Sequence, residues 1–461
     1  MRESAGGEHQ LKRTLGPVNL IALGIGAIIG AGLFALTPKA AHENAGPAVV
    51  FSFMIAAFGC AFAGMCYSEF ATMIPIAGSA YTYAYATMGE LMAWIIGWDL
   101  VLEYATGAAT VSVSWSKYLI RLLGTFGLSL PDSLTKGPFE GGLINLPAIF
   151  IIIAMSVVLI IGISESAKLN GAIVALKVFI VLLVIALGFS YVNQANLTPF
   201  VPPNTGEFGH FGWSGVMRAA GVIFFAYIGF DAVSTAAQET KNPQRDMPIG
   251  IIGSLLVCTV LYVGFAYVLS GVVNYNKMTD TAIYEALHAM GYDWLGTGVV
   301  IGILAGYTSV ILVMLLGQSR VFYSMSRDGL LPKLFSDVHP KFKTPWRCNL
   351  VFMVFVSLFS GFVPLSSLGD MTSIGTLFAF VLVCGGVMIM RRSHPDLPRP
   401  YRTPLVPLVP ILGILVCFTM MAALDMMTWI RLVTWLIIGL VVYFGYSRHR
   451  SHLVTDPESN H

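Results

Sequence analysis

The sequence predicts an all-α, multi-pass membrane protein of about twelve transmembrane helices, on two facts of composition and one of pattern. Of 461 residues, 56% are hydrophobic and only 11% charged, against roughly 25% charged in a soluble domain. The mean hydropathy of +0.76 points the same way. The pattern is a series of apolar stretches, each about as long as or longer than the roughly 20 residues that a hydrocarbon core demands of a helix. They lie near 17–41, 47–74, 89–120, 145–163, 167–192, 214–237, 248–273, 296–325, 347–364, 370–390, 404–424 and 427–446.

The first stretch carries Gly24, Gly26, Gly30 and Gly32, a membrane helix written to break at its middle. Unpaired backbone at that depth is costly unless it faces protein, water or a ligand, so the break marks a candidate site. Close helix packing is the other use of small residues four apart. The sixth stretch has a second interruption at Tyr227-Ile228-Gly229-Phe230-Asp231. Five stretches per unit place the second unit upside down relative to the first, with a site at midplane where the two breaks meet. The organisation expected is a cytoplasmic segment 1–16, a first repeat 17–192, a second repeat 214–390, two further helices within 404–446, and a cytoplasmic tail 447–461.

Charge placement sets the orientation. With the N-terminus inside, eighteen of the 26 Lys and Arg fall on the cytoplasmic side and seven, including Lys39, Lys117, Arg218 and Arg431, on the other. This bias predicts both termini in the cytoplasm and a cell-membrane location. The polar start through Arg13 runs into a long first span without a cleavage pattern, so no cleavable signal peptide is expected. Cys60, Cys66, Cys258, Cys348, Cys384 and Cys417 lie mostly in apolar spans without metal-ligand spacing and read as buried apolar residues. No metal, cofactor or nucleic-acid partner is expected, and no nucleophile–base pattern suggests an enzyme.

A helix broken at midplane offers free N–H groups at the start of one half and free carbonyls at the end of the other. That pair recognises a zwitterion. N–H groups near Ala31, Gly32 and Leu33 suit a carboxylate, and carbonyls near Ile28, Phe225 and Ile228 an ammonium, with Gly30 and Gly32 leaving the main chain open to approach. The Phe225 ring is either a cover for the ammonium or ordinary packing. Lys177 stands alone in an apolar run, about 13 Å along the helix from Lys168. An ionisable residue that deep is a functional candidate, here a proton carrier between spans one, five and eight, with a structural ion pair as the alternative. Asp99 and Glu103 share one face of the third span and Asp231 follows the second break. Glu103 is a candidate second proton carrier, and Asp231 either a coupling group or a cap for freed backbone. The loops 239–248 and 326–332 carry charges suited to ion pairs that close one face, or to ordinary solvation.

Six segments carry a resemblance: GIGAIIGAGLF at 24–34, CYSEFATMIPIAGSAYTYAYATMGE at 66–90, GWDLVLEY at 97–104, FFAYIGFDAVSTAAQETKNPQRDMPIGI at 224–251, SRDGLLP at 326–332 and PYRTPLVPLVP at 400–410. Together they resemble the amino acid–polyamine–organocation (APC) superfamily, specifically bacterial members of its cationic amino acid transporter family. The resemblance implies a LeuT-type fold of five-plus-five inverted repeats with two added helices, and a proton-coupled amino acid permease. It implies carboxylate binding at Ala31 and Gly32, ammonium binding at Ile28, Phe225 and Ile228, a sodium-replacing lysine at Lys177 and the third-helix glutamate at Glu103. Ala31 departs from the Ser or Thr common there, leaving backbone N–H groups as the carboxylate contact. Thr308 and Ser309 are similar to the hydroxyl pair of sodium-coupled relatives, which keeps sodium as the second choice of coupling ion. The function expected is import of L-amino acids, cationic or small neutral, by proton symport. An exchanger, a polyamine carrier or a non-transporting sensor are the alternatives.

Overall fold

The computed structural model describes residues 15–73, 79–162, 167–235 and 240–451. Most of the predicted cytoplasmic segment 1–16, residues 452–461 of the predicted tail, and parts of the motifs at 66–90 and 224–251 lie outside the described residues. The described chain is helical, with two isolated bridges, Leu15 to Thr240 and Thr135 to Asn145. The helices, in order, are α1 Pro17–Ile28, α2 over 32–45, α3 Val49–Met73, α4 Ser79–Thr87, α5 Glu90–Thr125, α6 Leu146–Ile161, α7 Ala167–Gly188 and α8 Gly212–Ile223. They continue with α9 Ala232–Thr235, α10 Pro243–Val272, α11 Ala282–Ala289, α12 Asp293–Arg327, α13 Trp346–Phe362, α14 Leu365–Ser393, α15 Leu408–Ala423 and α16 Met426–Val442. Among the described residues, six helical stretches are long and apolar enough to cross a membrane, and four shorter apolar helices accompany them.

Several boundaries differ from the sequence reading. Helices α5 and α12 run 36 and 35 residues, well past the hydrocarbon ruler, because their polar ends continue the helical hydrogen bonds outside the apolar run. Helix α10 begins at Pro243, with Pro248 tolerated inside its first turns. The stretch at 66–90 holds a separate helix, α4. Gly46, at φ +59°, turns the chain from α2 into α3.

Two packed groups emerge. Helices α1 and α3 both pack on α10, with α8 against α3, while α5 packs on α12, α14 and α13. Helices α15 and α16 lie on α14, and α16 is pinned to α5 by tryptophans. Trp98 donates its indole N–H to Trp435 O at 2.8 Å, Trp435 returns one to Trp98 O at 3.0 Å, and their rings stack 4.7 Å apart. All six cysteines are free and buried.

An ion cluster braces the end of α3 against the end of α14. Glu69, 2% exposed at the end of α3, accepts Arg391 Nε and Nη2 at 3.1 and 2.8 Å and the Thr403 N–H at 2.8 Å. Arg399 lies 3.4 Å away, so one carboxylate ties α3, α14 and the 394–407 connection together. Removing a buried partner strands the other charges, at a cost of about 3–5 kcal/mol. Glu69→Ala is therefore expected to lower the melting temperature of the detergent-solubilised protein by several degrees; an unchanged value contradicts the brace.

Candidate functional site

The first break forms where the glycines are densest. Helix α1 stops at Ile28, Ile29 turns to ψ 104°, and its N–H closes the last turn on Ile25 O at 2.9 Å. The chain restarts with Phe34 N–H on Gly30 O at 3.4 Å, and residues 32–36 form a wide π-type turn. Such turns recur at functional sites. Thr37 caps it, its hydroxyl donating to Gly32 O at 3.1 Å. The leading N–H groups of this second half, at Ala31, Gly32 and Leu33, have no acceptor one turn back in their own helix.

The second break answers it. Helix α8 tightens into a 3₁₀ turn at Phe224–Tyr227, Ile228 is extended at ψ 137°, and Gly229 takes φ +116°, a conformation that favours glycine. A methyl group on Gly229 would stand 2.8 Å from the carbonyl of Ala27. One on Gly32 would collide with the backbone of Ala226. The two breaks thus touch main chain to main chain, and a tyrosine closes the junction. The Tyr262 hydroxyl, on α10, lies 3.0 Å from both Ile28 O and Ala226 O.

Around this junction stand the residues singled out from the sequence. Ile28, Ala31, Phe225 and Ile228 are all buried. Phe225 O accepts the Ile228 N–H at 3.2 Å, and Ile28 O faces Tyr262, each carbonyl keeping a second lone pair. Gly30 has room: a methyl there would meet Val310 of α12 at 3.4 Å, ordinary contact. Lys177, 1% exposed on α7, donates from Nζ to Gly26 O at 2.8 Å, and a methyl on Gly306 of α12 would lie 2.9 Å from its Cε. It therefore sits where α1, α7 and α12 meet. Thr308 bonds its own helix at Leu304 O, 2.9 Å.

The carboxylates gather where α3, α5, α14 and the second break converge. Tyr104 donates to Asp231 Oδ2 at 2.9 Å. Glu103 lies beside the Thr376 hydroxyl and within electrostatic reach of Asp231 and Asp99. Asp99, fully buried against Gly375, has no hydrogen-bond partner among the described residues. One turn from Glu103, Gly107 faces Met314 of α12 and Thr372 of α14, each 3.5 Å from where its methyl would be.

Sequence reasoning missed Tyr262, which looks like any tyrosine in an apolar run, and the brace around Glu69. It counted Arg218 only as an orienting charge. On α8 this side chain is 11% exposed, paired with Asp425, 3.6 Å from Asp370 and donating to Ala423 O at 3.1 Å. In the loops, Asp328 accepts the Tyr81 hydroxyl at 2.7 Å. Glu239 lies outside the described residues.

The fold is that of a multi-pass helical membrane protein, and its candidate site is made largely of main chain. The profile of the amino acid permease family matches residues 15–445, and the chain belongs to that family. It is an amino acid transporter. Among its relatives, the branched-chain amino acid permease BcaP of Bacillus subtilis (strain 168) is 47% identical over 455 residues, 97% of this chain and 96% of that protein. The methylthioribose transporter of the same organism is 43% identical over 446 residues, 96% of this chain and 95% of that protein. The vacuolar cationic amino acid transporter 4 of Arabidopsis thaliana is 36% identical over 393 residues, 85% of this chain and 65% of that protein.

Proposed function

We propose that the protein imports L-amino acids with neutral, branched side chains across the cell membrane, coupled to protons. It does so by alternating access in a LeuT-type architecture of twelve spans, five plus five inverted and two added, with both termini cytoplasmic. The observation that carries this reading is the main-chain junction of the two breaks, with N–H groups at Ala31, Gly32 and Leu33 on one side and carbonyls of Ile28, Phe225 and Ile228 on the other. A backbone cradle reads the α-carboxylate and α-ammonium common to all amino acids. Selection then falls to the side chains beyond it. Val310, Met314 and the methyl of Thr372 favour an apolar substrate, in keeping with the 47% identical relative named for branched-chain amino acids. Lys177, with Glu103 and Asp231, carries the coupling proton, no other cofactor takes part, and the protein performs no covalent chemistry on its substrate.

The test is competition against labelled L-leucine in proteoliposomes, with and without an inward proton gradient. The panel comprises every amino acid, putrescine and methylthioribose, the last because of the 43% identical relative. Valine, isoleucine and leucine are expected to compete, and the gradient to stimulate uptake. Competition by putrescine or methylthioribose alone, neither having a carboxylate, contradicts the cradle. Competition by arginine and lysine alone moves the specificity to cationic substrates.

A further inference from the structure

Above the junction, on the Lys39 side, lies a cavity of about 300 Å³, at the small end of ligand pockets. Leu36 of α2, Val222 of α8 and Asp370 of α14 are in its wall. Leu36 is four residues from Gly32 and Val222 four from Ala226, so the cavity floor is about one helical turn outside the breaks. Ser373 of α14 donates to Val222 O at 3.4 Å and a methyl on Gly369 would meet Leu36 at 3.2 Å, so the floor is built by α2, α8 and α14, which also reach the junction.

The wall carries both signs in balance: Lys39, Arg218 and Arg431 against Glu43, Asp370 and Asp425. Arg218 is the best placed of the cations. Its side chain is 11% exposed, and so is held in a medium where a carboxylate bond is strong. Its two carboxylates differ. Asp370 is 12% exposed and fixed on α14, while Asp425 is 68% exposed at the connection between α15 and α16. A partner so exposed contributes little and is readily exchanged.

We propose that this cavity is a capture site for the zwitterionic head of an amino acid on its way to the central cradle. The incoming carboxylate replaces Asp425 on the Arg218 guanidinium, and the ammonium pairs with Asp370, leaving the cavity's charge balance unchanged. Neither an amine nor a carboxylic acid alone preserves that balance. The assignment rests on the transport reading for its ligand class and on its own residues for its position.

The experiment uses S367C, a pocket-lining position, in a chain whose native cysteines are all buried. Purified protein also carrying Gly30→Val, which fills the central site beside Val310, is labelled with a bulky maleimide. L-leucine is expected to slow labelling, and 3-methylbutylamine and 4-methylpentanoate, its decarboxylated and deaminated counterparts, to leave it unchanged. Arg218→Gln is expected to abolish protection. As that variant strands Asp370 and can fold poorly, Asp425→Asn is the second arm: by removing the competitor it should lower the half-protecting leucine concentration about threefold to fivefold, the weight of one exposed ion pair. No protection by leucine, equal protection by the amine or the acid, or an unchanged or raised half-protecting concentration in Asp425→Asn overturns the capture site. Uptake by the unmodified protein is measured alongside. Leucine uptake without protection defeats this site alone, whereas absence of any amino acid uptake defeats the transport reading.

Discussion

Replacing Lys177 by Ala is expected to abolish stimulation of uptake by an inward proton gradient while sparing part of leucine binding. The ammonium donates to Gly26 O at 2.8 Å and its stem lies on Gly306, so it ties α7 to α1 and α12 at one point. A charge in that position costs several kcal/mol unless paired, so on the proposed mechanism gain and loss of its proton would alter the bond between helices that separate during transport. Alanine fixes the neutral condition, and Lys177→Arg fixes the charged one, since a guanidinium is effectively always protonated. Both variants should take up leucine at the same slow rate with or without the gradient, while calorimetry still detects binding. A purely structural charge behaves differently: arginine would restore much of what alanine loses. Gradient-stimulated uptake in Lys177→Arg would therefore remove Lys177 from the coupling role and promote sodium, tested by imposing a sodium gradient at fixed pH.

How much of this was legible depends on the range over which each interaction acts. The breaks were readable because their causes are local: glycines within nine residues, and a Gly229 whose φ of +116° few other residues tolerate. Lys177 was readable because a lone cation in an apolar run is conspicuous without knowing its partner. Tyr262 and the Glu69 brace were opaque for the opposite reason. Glu69 and Arg391 are 322 residues apart, and each is an ordinary charge near a helix end until the fold brings them together. Arg218 was opaque in the same way: nothing local in the sequence marks its burial between Asp370 and Asp425. At α5 and α12 the helices run a few residues past the expected 89–120 and 296–325, because hydropathy measures the membrane's thickness and the hydrogen-bond ladder continues past it.

Glycine-to-alanine changes two residues apart in the first break should differ sharply in effect, and the contrast tests the junction itself. At Gly32 a methyl group falls on the Ala226 backbone, which cannot swing aside as the end of a flexible side chain can. The two breaks must then move apart, and overpacking of this kind costs about 1–3 kcal/mol. Since the N–H and carbonyl groups there are aimed by that contact, Gly32→Ala should weaken leucine binding by roughly 5- to 150-fold, the same energy expressed as an equilibrium constant. Gly32→Val should lose binding outright and, because the clash is with main chain, some folding stability as well. At Gly30 the methyl meets only Val310 at 3.4 Å, and Gly30→Ala should stay within a few-fold of the unmodified protein. Gly229→Ala belongs with Gly32, for it combines a left-handed φ with a methyl 2.8 Å from the Ala27 carbonyl. Calorimetric titration of leucine into the three alanine variants, with size-exclusion profiles as the folding control, decides the matter. Equal losses at Gly30 and Gly32 would mean that main-chain contact between the breaks does not shape the site, and that these glycines serve general helix packing.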